Sequence, residues 1–182
     1  VLFLCTGNIC RSPMAEFMLR HRLAALGVDA RVSSAGLFED DMSPTAEAVA
    51  VMAALGLDTS GHRSRRMTQP MIDDADLVLG MARMHLREAL TVLPSAWPKT
   101  FTLKELVRRA EWVGPREPWQ PFAEWLEKVH AGRSRTELLG SSSEDDVADP
   151  IGMSRAVYER TAQEIDRLVE RLVGLGWGEA GA

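Results

Sequence analysis

Cysteine is scarce in this chain: two among 182 residues, Cys5 and Cys10, close together near the start. Two cysteines make no disulfide framework, so a cytoplasmic setting is the expectation. A structural zinc site needs more ligands, and the histidines are scattered at positions 21, 62, 85 and 130, so no metal and no cofactor is expected. Basic residues do not dominate. Lys and Arg number 21 against 26 Asp and Glu, a net charge of −5, which argues against nucleic acid as a partner. It leaves room for an anionic substrate, because a local cluster of donors outweighs the overall sign. No apolar run approaches the ~20 residues that span a bilayer, so no membrane partner is expected. Val1–Leu4 is apolar but too short for a secretory leader, and the missing initial Met reads as the loss of a residue or two. There is no internal repeat. The short polar run Ser141–Asp146 reads as a loop.

What is present is an ordinary globular balance, 46% apolar and 26% charged, in a length that suits one domain with a real core. Val1–Leu4 has the continuous apolar character of a buried parallel strand. Cys5–Ser12 is a polar loop, Pro13 suits a first helical position, and Met14–Leu26 is helical up to Gly27. Ala30–Ser34 is expected as a second strand, Ala46–Leu55 as a helix, Asp76–Met81 as a third strand, and Arg83–Leu93 as a helix ending at Pro94. Thr100–Thr102 reads as a short fourth strand. Thr102 and Glu105 have capping-box spacing for a helix that follows. Phe122–His130 fits an amphipathic helix. Val157, Ile165, Leu168, Val169, Leu172 and Val173 mark a long C-terminal helix by their spacing. The alternation of strand and helix predicts an α/β fold: a three-layer, open, parallel four-stranded sheet with helices on both faces, in a single domain over 1–182.

The chemistry concentrates in Cys5-Thr6-Gly7-Asn8-Ile9-Cys10-Arg11-Ser12, between the first strand and the first helix. In an open α/β sheet that strand end is where ligands bind. A tight loop running onto a helix N-terminus turns the backbone N–H groups of residues such as Thr6, Gly7, Asn8, Ile9 and Cys10 into one concavity that suits a phosphate. Gly7 permits unusual backbone angles and Asn8 tolerates them. A thiol at Cys5 facing this nest and a cation is expected to react as thiolate. Arg11 offers a planar fork for two phosphoryl oxygens. Ser12 can donate its hydroxyl to the sulfur and improve it as a leaving group. Nucleophile, clamp and donor ring are what phosphoryl transfer needs. The loop lacks the Gly-Lys-Ser/Thr ending of a Walker A motif.

Cys5 to Glu16, C-T-G-N-I-C-R-S-P-M-A-E, resembles the signature of low-molecular-weight protein tyrosine phosphatases. Ser34-Ala35-Gly36, the stretch Gly61–Arg66 with Thr68, and Val147-Ala148-Asp149-Pro150 resemble later blocks of that family in the same order. The stretch from about 97 to 146 does not match and reads as an atypical insertion. The resemblance implies a phosphate-monoester hydrolase acting on a phosphorylated protein or a small aryl phosphate. Cys5 would be the nucleophile, Arg11 the phosphate binder, Ser12 the thiolate's helper and Asn8 the loop's brace, with Ser34 and His62 behind it. Asp149 would protonate the leaving oxygen and then activate water, help typically worth ~10²–10⁴ in rate.

Several side readings complete the picture. Asp145 and Asp146 are expected to be solvated loop carboxylates, and Arg63, Arg65 and Arg66 surface charge. His21 and His85 read as ordinary helix residues, and Trp112, Trp119 and Trp125 as core or lid packing. Cys10 sits where it could pair with an oxidised Cys5 in a reversible disulfide; a plain buried loop residue is the other reading. Tyrosine-specific members of the resembled family carry aromatics beside the site. Here only Phe38 answers to them, and Glu39, Asp40 and Asp41 would repel acidic phosphopeptides. Two alternatives stay open: a phosphoarginine phosphatase, in whose branch a Thr is expected where Ile9 stands, and an arsenate reductase of the same fold using an external thiol.

Overall fold

The computed structural model describes residues 1–38 and 40–178. Its centre is a parallel sheet of four strands, β1 Leu2–Cys5, β2 Ser33–Gly36, β3 Val78–Gly80 and β4 Thr100–Thr102, in the order β2-β1-β3-β4. The fold class read from the sequence is therefore the observed one. Every residue of β1 is buried, because a central strand has partners on both edges and helices on both faces. Its side chains alternate: Phe3 and Cys5 join the larger core, while Leu2 and Leu4 join the smaller one with Ala35, Ile72, Val78, Ala89 and Ala96.

The larger core lies under α1 Arg11–Ala25, α2 Ala46–Ala54, α5 Leu103–Val113, α6 Phe122–His130 and α7 Arg155–Gly176. The smaller core lies under α3 Gln69–Asp73, α4 Arg83–Val92 and the 3₁₀ segment Pro94–Lys99. α1 ends where expected, since the chain turns into the left-handed region at Gly27, φ +69°. It begins earlier than expected, at Arg11. Pro13 therefore sits within the first turn, where its missing N–H costs nothing. α5 opens with the anticipated capping box between Thr102 and Glu105.

β2 occupies Ser33–Gly36, not Ala30–Ser34. Its placement is set by pairing with β1, Leu2 opposite Ser33 and Cys5 opposite Gly36, and pairing outweighs local apolar character. β3 is likewise trimmed to the length its neighbours can pair. α3 was not anticipated; five residues around Pro70 leave no periodic signal.

Residues 97–133 close around one buried cation. Arg133 donates to both Glu105 oxygens, at 2.6 and 3.0 Å, and to the carbonyls of Thr100 and Trp97. Its guanidinium lies 3.9 Å from the centroids of the Trp97 and Phe101 rings. This staples the segment after α6 onto β4 and α5. Of the three tryptophans expected to pack, only Trp125 is core; Trp112 and Trp119 are 88% and 80% exposed. Trp112 lies in the last turn of α5 and Trp119 in the turn before α6, and neither element turns that position inward.

Candidate active site

Cys5 is the last residue of β1 and only 2% exposed. Two donors converge on its sulfur: the Ser12 hydroxyl at 3.0 Å and the Asn8 backbone N–H at 3.2 Å. Both stabilise negative charge on sulfur, and α1 starts directly after the loop with its N-terminus towards it.

Asn8 holds the loop's shape. Its φ is +52°, a conformation that costs most side chains free energy. The cost is met by a complete set of partners. Nδ2 donates to Ser12 Oγ at 2.9 Å and Ser34 Oγ at 2.8 Å; Oδ1 accepts from Arg65 N–H at 3.0 Å. The Asn8 carbonyl accepts from His62 Nε2 at 2.8 Å, which sets that ring's tautomer. Ser34 in turn donates to Glu16 Oε2 at 2.6 Å. Burial lowers the His62 pKa, with the bond to Asn8 opposing it. Gly36 completes the fit: a Cβ there would lie 2.9 Å from both N and Cβ of Asn8, too close for any other residue without moving the loop.

Arg11 is buried at the N-terminus of α1. Nη1 donates to the Val147 carbonyl at 3.0 Å, and Nη2 to Asp149 Oδ2 at 2.5 Å and Thr6 Oγ1 at 3.4 Å. The Asp149 side chain is 41% exposed, and its Oδ1 accepts from Ile151 N–H. Thr6 Oγ1 also meets His85 Nε2 at 3.1 Å. His85 is fully buried, Nδ1 finds no hydrogen-bond partner among the described residues, and burial, followed by the charge of Arg11, pushes its pKa down to about 3. An imidazole in that setting stays neutral.

The structure thus gathers Cys5 at the end of β1, Thr6, Gly7, Asn8, Ile9 and Cys10 in the loop, and Arg11 and Ser12 in the first turn of α1, braces them with Ser34 and His62, and brings Asp149 to the mouth of the loop. Both thiols are free and buried. Burial, then the neighbouring Cys5, raises the Cys10 thiol above its ordinary range, so Cys10 keeps its proton.

Four expectations are corrected. Asp145 is not solvated: it is 5% exposed and paired with Arg83 and Arg108 at 2.6 and 2.7 Å. Asp146 caps the start of α4 through Arg83 N–H. Arg65 is part of the brace, its Nε donating to the Ser34 carbonyl at 2.7 Å. His85 is a buried neighbour of the loop. No local pattern marks these, because each depends on a partner tens of residues away. Glu16 was also missed as a site residue; its one signal is a glutamate set among the apolar residues Met14, Ala15, Phe17 and Met18 in the first turns of a helix. Glu39, the first of the acidic run 39–41, lies outside the described residues.

A cleft of about 900 Å³ is lined by Val1, Ser33, Asp76, Lys99, Phe122 and Trp177 among others. It lies at the amino ends of the strands, away from Cys5. No group of three or more potential metal ligands occurs among the described residues, and none of their helices is long and apolar enough to cross a membrane.

Residues 1–132 match the family model for low molecular weight phosphotyrosine protein phosphatase. A protein-arginine-phosphatase of Geobacillus stearothermophilus is 32% identical over 173 residues, covering 94% of this chain and 92% of its own. The low molecular weight protein-tyrosine-phosphatase Etp of Escherichia coli is 34% identical over 116 residues, 63% of this chain and 76% of its own. A crystal structure of a low molecular weight protein tyrosine phosphatase from T. tengcongensis superimposes with a TM-score of 0.71 at 34% identity, covering 94% of this chain and 95% of that one.

Proposed function

This chain belongs to the low-molecular-weight phosphotyrosine protein phosphatase family and is a phosphoric monoester hydrolase; from that premise we propose that Cys5, Arg11 and Asp149 carry its reaction. The observation that carries this reading is the pair of donors on Cys5 Sγ within the loop whose Arg11 reaches Asp149.

The phosphoryl group sits on the guanidinium of Arg11 and the backbone N–H groups from Thr6 to Ser12. Cys5 Sγ attacks phosphorus in line with the ester oxygen, forming the S–P bond as the P–O bond breaks. Asp149, carrying a proton, gives it to the departing oxygen. In the second step Asp149 takes a proton from water, the water oxygen attacks phosphorus, and the S–P bond breaks to return the thiolate. Ser12 stabilises that thiolate as leaving group. Arg11 exchanges the Asp149 carboxylate for phosphoryl oxygens as substrate enters, which frees Asp149 to face the ester.

The substrate is a phosphorylated protein or a small aryl phosphate. Phe38, Met42, Ile151 and Met153 are exposed on the loops that follow β2 and Asp149, and offer apolar contact for an aryl leaving group. A phosphoarginine substrate is the second reading. Two arginine phosphatases align with 94% of this chain; Ile9 in the loop speaks against it. We further take residues 1–182 as one phosphatase domain with an insertion at about 97–146, working in the cytoplasm without a cofactor.

A panel assay tests the reading: peptides carrying phosphotyrosine, phosphoserine or phosphoarginine, with arsenate plus small thiols in parallel. Turnover of the phosphotyrosine peptide is expected. Turnover of phosphoarginine alone moves the assignment to the second reading. Arsenate reduction without ester hydrolysis overturns both.

A further inference from the structure

The residues that lead into the acid loop are pinned one after another. Asp145 Oδ2 accepts from Arg83 Nε and Nη2 at 2.8 and 2.6 Å, and Oδ1 accepts from Arg108 Nη1 at 2.7 Å. Asp146 Oδ1 accepts from Arg83 N–H at 2.8 Å, and its carbonyl from Lys104 Nζ at 3.0 Å. Val147 N–H donates to the Met81 carbonyl at 2.7 Å, just beyond β3. The next contacts in sequence are those of Arg11 with the Val147 carbonyl and with Asp149. Burial opposes ionisation of Asp145, but the hydrogen bonds from Arg108 and Arg83 outweigh it and hold its carboxyl below the usual range.

From this geometry we propose that Asp145, clamped between Arg83 of α4 and Arg108 of α5, is a positioning residue for the acid–base step. It fixes the height at which the chain crosses the carboxyl edge of the sheet, and so the distance from Asp149 to the ester oxygen. The inference rests on Asp149 being the acid and base. A buried carboxylate holding two guanidinium groups has a strong geometric preference, and Asp145, Asp146 and Val147 are each held by hydrogen bonds, so Ala148 alone separates this anchored stretch from Asp149. A misplacement of about 1 Å at a reacting group costs on the order of 10² in rate. The stretch before Asp145 delivers the chain to this anchor, with Arg87 also holding the carbonyls of Leu138 and Gly140.

The test is the dependence of kcat/KM on the pKa of the leaving phenol, for wild type, Asp145→Asn and Asp149→Asn, with competitive inhibition by inorganic phosphate measured alongside. Asp145→Asn is expected to lose about 10- to 100-fold on phenyl phosphate, and far less on p-nitrophenyl phosphate, whose leaving group needs little protonation. Inhibition by phosphate is expected to stay at the wild-type level, since the Cys5–Ser12 loop is untouched. An equal loss across the series, or no loss, overturns the proposal. Arg108→Gln, on a half-exposed arginine that leaves the Arg83 fork in place, is expected to give the same steepening to a smaller degree; it decides the matter if Asp145→Asn does not fold. A flat series for Asp149→Asn removes the acid assignment itself. A steep Asp149→Asn series beside a flat Asp145→Asn series removes only this inference.

Discussion

Arg11 and Asp149 are 138 positions apart and meet through an Nη2–Oδ2 hydrogen bond of 2.5 Å. Each is presented by a different device. Arg11 is set by the helix that starts at the end of β1; Asp149 is set by a loop hung from the residue after β3. The order β2-β1-β3-β4 puts β1 and β3 side by side with their carboxyl ends together, where connections diverge and a crevice opens.

Cys5→Ser is expected to abolish hydrolysis of p-nitrophenyl phosphate while leaving binding of phosphate or vanadate intact by calorimetry. The hydroxyl keeps the loop's hydrogen bonds but is a far weaker nucleophile than a thiolate. Residual turnover near the wild-type rate would remove Cys5 from the mechanism.

Gly36→Ala is expected to lower kcat strongly without unfolding the protein. The new Cβ would press on N and Cβ of Asn8 at 2.9 Å, so the Asn8 N–H moves off Cys5 Sγ. Losing one such oriented donor typically costs ~10²–10³ in rate. Steady-state kinetics with circular dichroism as the folding control checks it, and an unchanged kcat would show that the loop tolerates the shift.

Arg133→Met is expected to destabilise the fold by about 3–5 kcal/mol, because it leaves the Glu105 carboxylate buried without its partner. The Arg133 side chain is itself 0% exposed, so solvent does not screen the pair. Urea unfolding measures the loss. A change below about 1 kcal/mol, the scale of an exposed pair, would mean that Glu105 finds water or another cation.

Acid should weaken this protein partly through His85. Its folded pKa is about 3 against an ordinary 6.5, so between those values the unfolded chain binds a proton that the folded one does not. Stability is then full above pH 6.5 and falls as the pH drops. Down to pH 5 the loss reaches about 2 kcal/mol. His85→Gln, whose amide can still hydrogen-bond Thr6 Oγ1, should fall less steeply over the same range in urea titrations. Parallel pH profiles for the two proteins would rule out His85 as the source.

The candidate loop was legible because its information is local. A thiol, a glycine, an asparagine and an arginine fall within eight consecutive residues between an apolar run and a helical pattern, and helix periodicity and capping likewise operate over a few residues. The burial of Asp145 and the use of Arg65 had no such signal. In one dimension, a polar run with three serines and three acids is indistinguishable from a solvated loop. Only the arrival of Arg83 from α4 and Arg108 from α5 makes its aspartates structural.

By itself, then, the sequence determined the fold class, the strand–loop–helix that carries Cys5 and Arg11, and most helix ends, since these follow from side-chain period, caps and backbone preference. Tertiary structure alone decided which residues of β2 pair with β1, that Gly36 lies against Asn8, and that Asp149 meets Arg11. Those outcomes depend on distances between segments far apart in the chain, which are fixed only when the sheet is assembled and its two faces are packed.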